Sequence, residues 1–235
     1  MTLALAKYGF DIALHYHSSQ NDAKEVADII KSYGQKCLLF HADLKCVHLD
    51  KFMEQVYAAF PYLNLLVNSA SEYKKASLIE TDYDIFDSQF ALNLRVPFFL
   101  SKEFAKRCKD GNIVNIIDKM TKFNSYHYMS YLLTKTALEK LTQSAALELA
   151  PYIRVNGISP GFILPPVAGD TENILKRIEE IPLKRQGSVK NITQTLLHII
   201  KNDFITGQVF FVDGGDSVNC TGKSLEMFHS PYINK

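Results

Sequence analysis

Asn112-Ile-Val-Asn-Ile-Ile-Asp118, then Tyr131-Leu-Leu-Thr-Lys135, then Arg154-Val-Asn-Gly-Ile-Ser-Pro-Gly161 read in turn as strand, helix and strand. The two strands are short, β-branched and apolar throughout, the pattern of parallel strands buried on both faces. Working outward, Asp11–Tyr16, Lys36–His41, Leu63–Asn68 and Gln208–Val212 repeat that pattern. Between them Ala23–Tyr33, Leu49–Phe60, Tyr83–Arg107 and Tyr131–Ala150 carry apolar residues at three- and four-residue spacing, as amphipathic helices do. Strands alternating with helices of this length make right-handed βαβ units. The expected fold is α/β, a doubly wound parallel sheet in a single domain.

The bulk properties suit that reading. A chain of 235 residues, 47% apolar and 22% charged, is long enough for one two-sided core. A formal charge of +1 suggests neither a nucleic-acid surface nor a polybasic membrane anchor. Four cysteines (Cys37, Cys46, Cys108, Cys220) without C-x-x-C spacing read as free thiols in a reducing compartment. The seven histidines form no H-E-x-x-H pair, so no metal site is expected. No apolar run has membrane-spanning length and no signal-peptide layout opens the chain; the cytoplasm is the expected location.

Two stretches break the rhythm. Phe162–Gly187, with Pro165, Pro166, Gly169 and Pro182, is irregular apart from a helical Glu172–Glu180. It follows a strand's carboxyl end, where open α/β sheets bind ligands, and reads as a substrate lid. The start is the other: Met1–Tyr8 resembles the tail of a helix closing at Gly9, with no preceding strand or glycine turn. The sheet is therefore expected to lack its first strand, leaving unpaired edges and an apolar groove, with the natural chain expected to begin upstream of Met1.

The candidate chemistry centres on Tyr131 and Lys135. Four residues apart on a helix they share a face, and an ammonium near a phenol is expected to lower the tyrosine pKa, making it a usable proton donor. Asp118 ends its strand where a doubly wound sheet puts catalytic groups. Asn68-Ser-Ala-Ser71 closes another strand with small residues against which a cofactor could lie, and Pro160-Gly161 offers close backbone approach. Asn93 is a polar residue in an apolar helix and needs partners.

At these residues the chain resembles the short-chain dehydrogenase/reductase family. Asn68-Ser-Ala-Ser71 stands for the family's N-N-A-G, joined by Asn93, Tyr131/Lys135, Asn156, Pro160-Gly161 and the terminal turn Val212-Asp-Gly-Gly215. Within the family it looks most like pteridine reductases and dihydromonapterin/dihydrofolate reductases. His15-Tyr-His-Ser-Ser19 is similar to their H-Y-H-x-S segment, Asp118 replaces the usual serine, and Tyr73 matches their stacking phenylalanine.

The resemblance implies a Rossmann-type domain over residues 1–216 with a tail over 217–235, an NADPH-dependent reductase of a dihydropterin or dihydrofolate C=N bond, and a homotetramer. It assigns cofactor contacts to His15, Tyr16, His17, Ser18, Asp43, Leu44, Asn68, Ser69, Ala70, Ser71, Tyr131, Lys135, Pro160 and Gly161. Tyr73, Asp118 and Tyr131 would meet the substrate. Asp118, Tyr131, Lys135 and Asn93 would be catalytic, with Asn93 supporting a water relay. The alternatives are a carbonyl or 3-oxoacyl reductase of the same family, and a truncated member that acts as a binding subunit or has no function.

Overall fold

The computed structural model describes residues 1–164 and 171–219. The chain opens on α1 (Thr2–Lys7), which turns at Gly9 (φ +101°) into β1 (Ile12–Tyr16). Then follow α2 (Gln20–Ser32), β2 (Cys37–His41), α3 (Leu49–Ala59), β3 (Leu65–Asn68), α4 (Tyr83–Phe90) and α5 (Val96–Ala105). β4 (Gly111–Ile116), α6 (Met129–Leu149), β5 (Ile153–Pro160), α7 (Thr171–Glu180), α8 (Val189–Lys201) and β6 (Val209–Val212) complete it. All six expected strands are present, each within two residues of its expected ends.

Every strand pairing is parallel, in the order β3-β4-β5-β6 on one side and β1-β2 on the other. Neighbouring residues of one strand feed opposite faces. Val114 packs with Ile158 and with residues of α1, α2 and α8, among them Ala6, Ile30 and Leu196. Ile113 packs instead with Val155 and with α3, α5 and α6 through Met53, Phe104 and Ala146. Helices thus cover both faces, the doubly wound arrangement. Each such fully buried aliphatic side chain stabilises the fold by roughly 1.5–3 kcal/mol.

The sheet has a gap. Among the described residues β1 pairs only with β2, and β3 only with β4, and a cavity of about 980 Å³ lies between their free edges. This is the expected groove. It falls where the strand order reverses, since β1 leads outward to β2 and β3 leads the other way through β4 to β6. Among the described residues no helix is long and apolar enough to cross a membrane.

Two elements differ from expectation. The helix expected over Tyr83–Arg107 is broken by a π-helical turn, Ala91–Arg95, between α4 and α5. α8 is an amphipathic helix that the sequence reading leaves out, capped by Ser188 with Asn191. The expected lid falls partly outside the described residues: its Pro165, Pro166 and Gly169 do, as do Cys220 and the rest of the tail, whereas its helix is α7. Ser217 and Val218 of the expected tail belong to a short 3-10 turn.

Candidate active site

Asp118 follows β4 and opens a 3-10 turn, Lys119–Lys122, where its Oδ1 accepts the Met120 N–H at 2.8 Å. α6 begins at Met129, so Tyr131 and Lys135 project from its first turns toward the same strand end. The Tyr131 hydroxyl donates to Asp118 Oδ2 at 2.8 Å. Lys135 Nζ donates to the Ile116 carbonyl at 2.9 Å and lies 5.7 Å from the Tyr131 ring centre. Tyr131 and Lys135 are both buried.

Burial sets the proton affinities here. It pushes the Asp118 carboxyl above its ordinary value, against the Met120 N–H, the Tyr131 hydroxyl and the Lys135 charge. Desolvation brings Lys135 down to about 8, opposed by Asp118. Tyr131 moves upward, through burial first and the Asp118 charge second. This corrects the expectation that Lys135 lowers the tyrosine. The nearest partner of the phenol is a carboxylate, and the ammonium is turned to a backbone carbonyl. The phenol is consequently held protonated, the state a proton donor requires.

Asn93 is wholly buried in the π-helical turn, and protein groups occupy both ends of its amide. Oδ1 accepts from the Glu72 N–H (2.7 Å) and the Ser71 hydroxyl (3.1 Å). Nδ2 donates to the Glu72 carbonyl (2.8 Å) and to Thr134 Oγ1 (3.2 Å). Thr134 in turn donates to the Tyr131 carbonyl at 2.6 Å. The amide thereby clamps the loop after β3 to the helix that carries Tyr131.

Tyr73, in that loop, stacks on Tyr128 with ring centres 4.4 Å apart and planes 10° apart, and meets Tyr131 edge-on at 4.6 Å. It remains 54% exposed, an accessible aromatic side chain beside the proton-donor pair. Tyr128 is a member of this cluster that the sequence reading misses. Its signal is the spacing Tyr128-Met-Ser-Tyr131, one helical turn. Asp216 is also missed. It takes Lys119 and Arg177 as ion-pair partners and so fastens α7 beside the site.

The expected cofactor residues divide. Ser69, Ala70 and Ser71 are exposed at the carboxyl end of β3, and His17 and Ser18 at the end of β1. His15 is held to the Ala42 carbonyl at 2.9 Å, with its pKa lowered by burial, and Tyr16 ends β1 against His41. Asp43 lies 4.0 Å from His17 and is kept ionised by the Lys45 N–H, while Leu44 is buried in the core.

Asn68 is buried at the carboxyl end of β3. Its amide donates to Asn115 Oδ1 (2.8 Å) and Ser101 Oγ (3.3 Å), tying β3 inward to β4 and α5. Asn156 is likewise structural, joining the Ile205 carbonyl and the Gln208 N–H. Pro160 ends β5. At Gly161 a Cβ would come within 2.5 Å of Asp213 Cα, so the chain's own backbone approaches closely there.

A doubly wound sheet with a tyrosine, a lysine and an aspartate gathered at a strand's carboxyl end defines an oxidoreductase of the nicotinamide-dependent kind. The comparisons agree. A family model described as enoyl-(acyl carrier protein) reductase matches residues 1–217. A 3-oxoacyl-[acyl-carrier-protein] reductase of Staphylococcus epidermidis is 30% identical over 224 residues, 92% of each chain. Pteridine reductase 1 of Leishmania tarentolae is 30% identical, covering 92% of this chain and 90% of that one. The structure of FolM alternative dihydrofolate reductase 1 from Brucella canis, complexed with NADP, superposes with a TM-score of 0.87 at 32% identity, over 92% of this chain and 87% of that one. The chain belongs to the short-chain dehydrogenase/reductase family.

Proposed function

We propose that the protein is an NADPH-dependent reductase of a dihydropterin or dihydrofolate, acting on a ring C=N bond. The observation that carries this reading is the hydrogen bond from Tyr131 to Asp118, a carboxyl held above its ordinary pKa, beside the half-exposed Tyr73. Ring nitrogens need a proton as the neighbouring carbon is reduced, and a phenol hydrogen-bonded to a buried carboxyl supplies one. A flat heterocycle matches the exposed aromatic side chain.

The chain's residues fit a nicotinamide cofactor in part. Lys135 uses one N–H on Ile116 and has others for ribose hydroxyls. Ser69 and Ala70 leave room at the end of β3, and His17 and Ser18 offer donors for a 2′-phosphate. A glycine turn for the pyrophosphate is not among the described residues; the gap stands in its place. When bound, the cofactor would supply the hydride. Tyr131 would hold and deliver the proton, Asp118 would position and replenish it, and Tyr73 with Tyr128 would orient the ring. Asn93 would fix the loop that carries Tyr73.

A homotetramer in a reducing cytoplasm is part of the proposal. Support comes from the exposed Phe86, Phe98 and Phe99 on α4 and α5, and from the free thiols of Cys37, Cys46 and Cys108. A 3-oxoacyl reductase is the second reading, favoured by the S. epidermidis relative.

Asp118→Ser separates the two. Dihydrobiopterin and dihydrofolate turnover, followed as NADPH oxidation, is expected to fall roughly 10²–10⁴-fold, the usual range for losing a positioned proton donor. Unchanged pterin turnover, or 3-oxoacyl turnover that survives while no pterin is reduced by either form, would overturn the pterin reading.

A further inference from the structure

Lys45 follows Asp43 and Leu44 at the end of β2, and both of its backbone groups are held. Its N–H donates to Asp43 Oδ1 at 3.0 Å, and its carbonyl accepts from the Arg95 guanidinium at 2.9 Å. The side chain then leaves β2 altogether. Nζ donates to Ser88 Oγ on α4 at 2.9 Å and lies 3.8 Å from Glu72 Oε2. Ser88 passes the contact on, its hydroxyl donating to the same Glu72 oxygen at 2.5 Å. Asp84 and Asp87 line the same surface groove as Lys45, yet its ammonium pairs with Glu72.

Glu72 is fixed along its backbone as well. The Asn93 amide takes both its N–H and its carbonyl, and Asn93 sits in the π-helical turn that also carries Arg95. The contacts therefore close a ring through Lys45, Arg95, Asn93, Glu72 and Ser88. Asp43 is attached at one corner and Tyr73, the residue after Glu72, at another. This ring joins the two parts of the sheet, since β2 belongs to the β1-β2 pair and Glu72 to the loop after β3. The Lys45 and Glu72 side chains are only 31% and 20% exposed, so salt screens their attraction less than it would in open water.

We propose that this ring is a coupling element. Occupation of the β1-β2 end by a 2′-phosphorylated adenosine is carried through Lys45, Ser88 and Glu72 to Tyr73, so the cofactor's adenosine half sets the aromatic side chain that meets the substrate. That placement of the two ligands rests on the proposed reductase reading. His17 lies 4.0 Å from Asp43, and a phosphate that draws His17 to itself leaves the Asp43 carboxylate to the Lys45 N–H and the Cys46 thiol. The restraint on Lys45 then runs through contiguous hydrogen bonds to the Tyr73 loop. Lys45, Ser88 and Glu72 act through Tyr73 and are positioning residues.

The chain has no tryptophan, so Tyr73→Trp supplies a single fluorescent reporter. Adenosine 2′,5′-bisphosphate is the probe, because it carries the 2′-phosphate and no nicotinamide that would quench the indole directly. Its binding is expected to lower acrylamide quenching of the indole roughly twofold as the loop is ordered. With Lys45→Met added, the bisphosphate is expected to bind with nearly the same affinity and to leave the quenching unchanged. Lys45→Arg, which keeps the charge, should retain the response. Ser88→Ala, which removes the relaying hydroxyl alone, should lose most of it.

In the chain with its own Tyr73, saturating bisphosphate is expected to tighten dihydrobiopterin binding about fivefold or more, read by calorimetry. Dihydrobiopterin should tighten bisphosphate binding by the same factor, and Lys45→Met or Glu72→Gln should bring both factors close to one. An equal quenching response or an equal factor in Lys45→Met overturns the coupling. So does a bisphosphate that moves neither readout, or that does not bind. A response that depends on Lys45, in a chain that binds no dihydrobiopterin, leaves the coupling standing and sinks the pterin reading. Dihydrobiopterin reduction with NADPH, alongside a response that ignores Lys45, sinks the coupling alone.

Discussion

The two sides of the molecule are built from the same unit and finished differently. From β3 to β6 the strands pair in unbroken order, residues such as Ile113 and Val155 are wholly buried, and the proton-handling side chains sit at the sealed end of β4. From α1 to β2 the strands are equally apolar, yet Leu14 and Leu39 are only partly covered and one edge of β1 faces a cavity. The lesson concerns division of labour. The proton chemistry needs fixed distances and lies where packing is complete, while the residues expected to hold a cofactor are shared across the incomplete boundary.

The largest effect that would sharpen this contrast lies in the sealed half. Tyr131→Phe removes one hydroxyl from a packed site, and dihydrobiopterin reduction in single turnover is expected to slow about 10²–10⁴-fold. NADPH affinity and the melting temperature should stay near those of the unsubstituted chain. A large loss of NADPH affinity instead would assign the hydroxyl a binding role.

Next come paired cavity substitutions. Phe104→Ala, in the closed core, is expected to cost about 3–5 kcal/mol in chemical denaturation, whereas Leu14→Ala, beside the gap, should cost about 1 kcal/mol, because water already reaches the site. Equal costs would break the comparison, showing the gap to be as dry and as tightly packed as the core.

The smallest effect is in pH. Lys135 is held down to about 8, against an ordinary 10.5. Between those values the unfolded chain keeps a proton that the native lysine has lost, so this group makes stability rise with pH across that window. Lys135→Met should remove that rise. The difference between the two denaturation midpoints, followed from pH 7.5 to pH 10.5, is the readout.

Much of this was legible in the sequence for a plain physical reason. A strand buried on both faces must be apolar throughout, so runs such as Asn112–Ile117 announce themselves without long-range information. Asp118, Tyr131 and Lys135 were legible through local spacing at a strand end and a helix face. What local pattern could not supply was direction. Whether the Lys135 ammonium turns to the phenol or to the Ile116 carbonyl, and whether Asn93 faces water or the Glu72 backbone, depends on neighbours 19 and 21 residues away. Asp216 lies 97 residues from its partner Lys119. α8 is a different case: Ile192, Leu196 and Ile199 carry the same helical spacing as its siblings, behind a serine cap.

The π-helical turn around Asn93 sets the rotational phase of everything after it. An α-helix advances about 100° per residue, and a π turn accommodates one residue more than an α turn. Deleting a single residue from 91–95 would let α4 and α5 fuse into a continuous rod, which looks harmless on a helical wheel. It would also swing Phe104 and Leu100 a quarter-turn or more away from the sheet, or else turn Asn93 off the Glu72 backbone. The stretch is therefore a counting device. Side chains on its outer surface can be exchanged freely, but its length is quantised, and a library of single-residue deletions should show a sharp hole there while neighbouring surface loops tolerate the same loss.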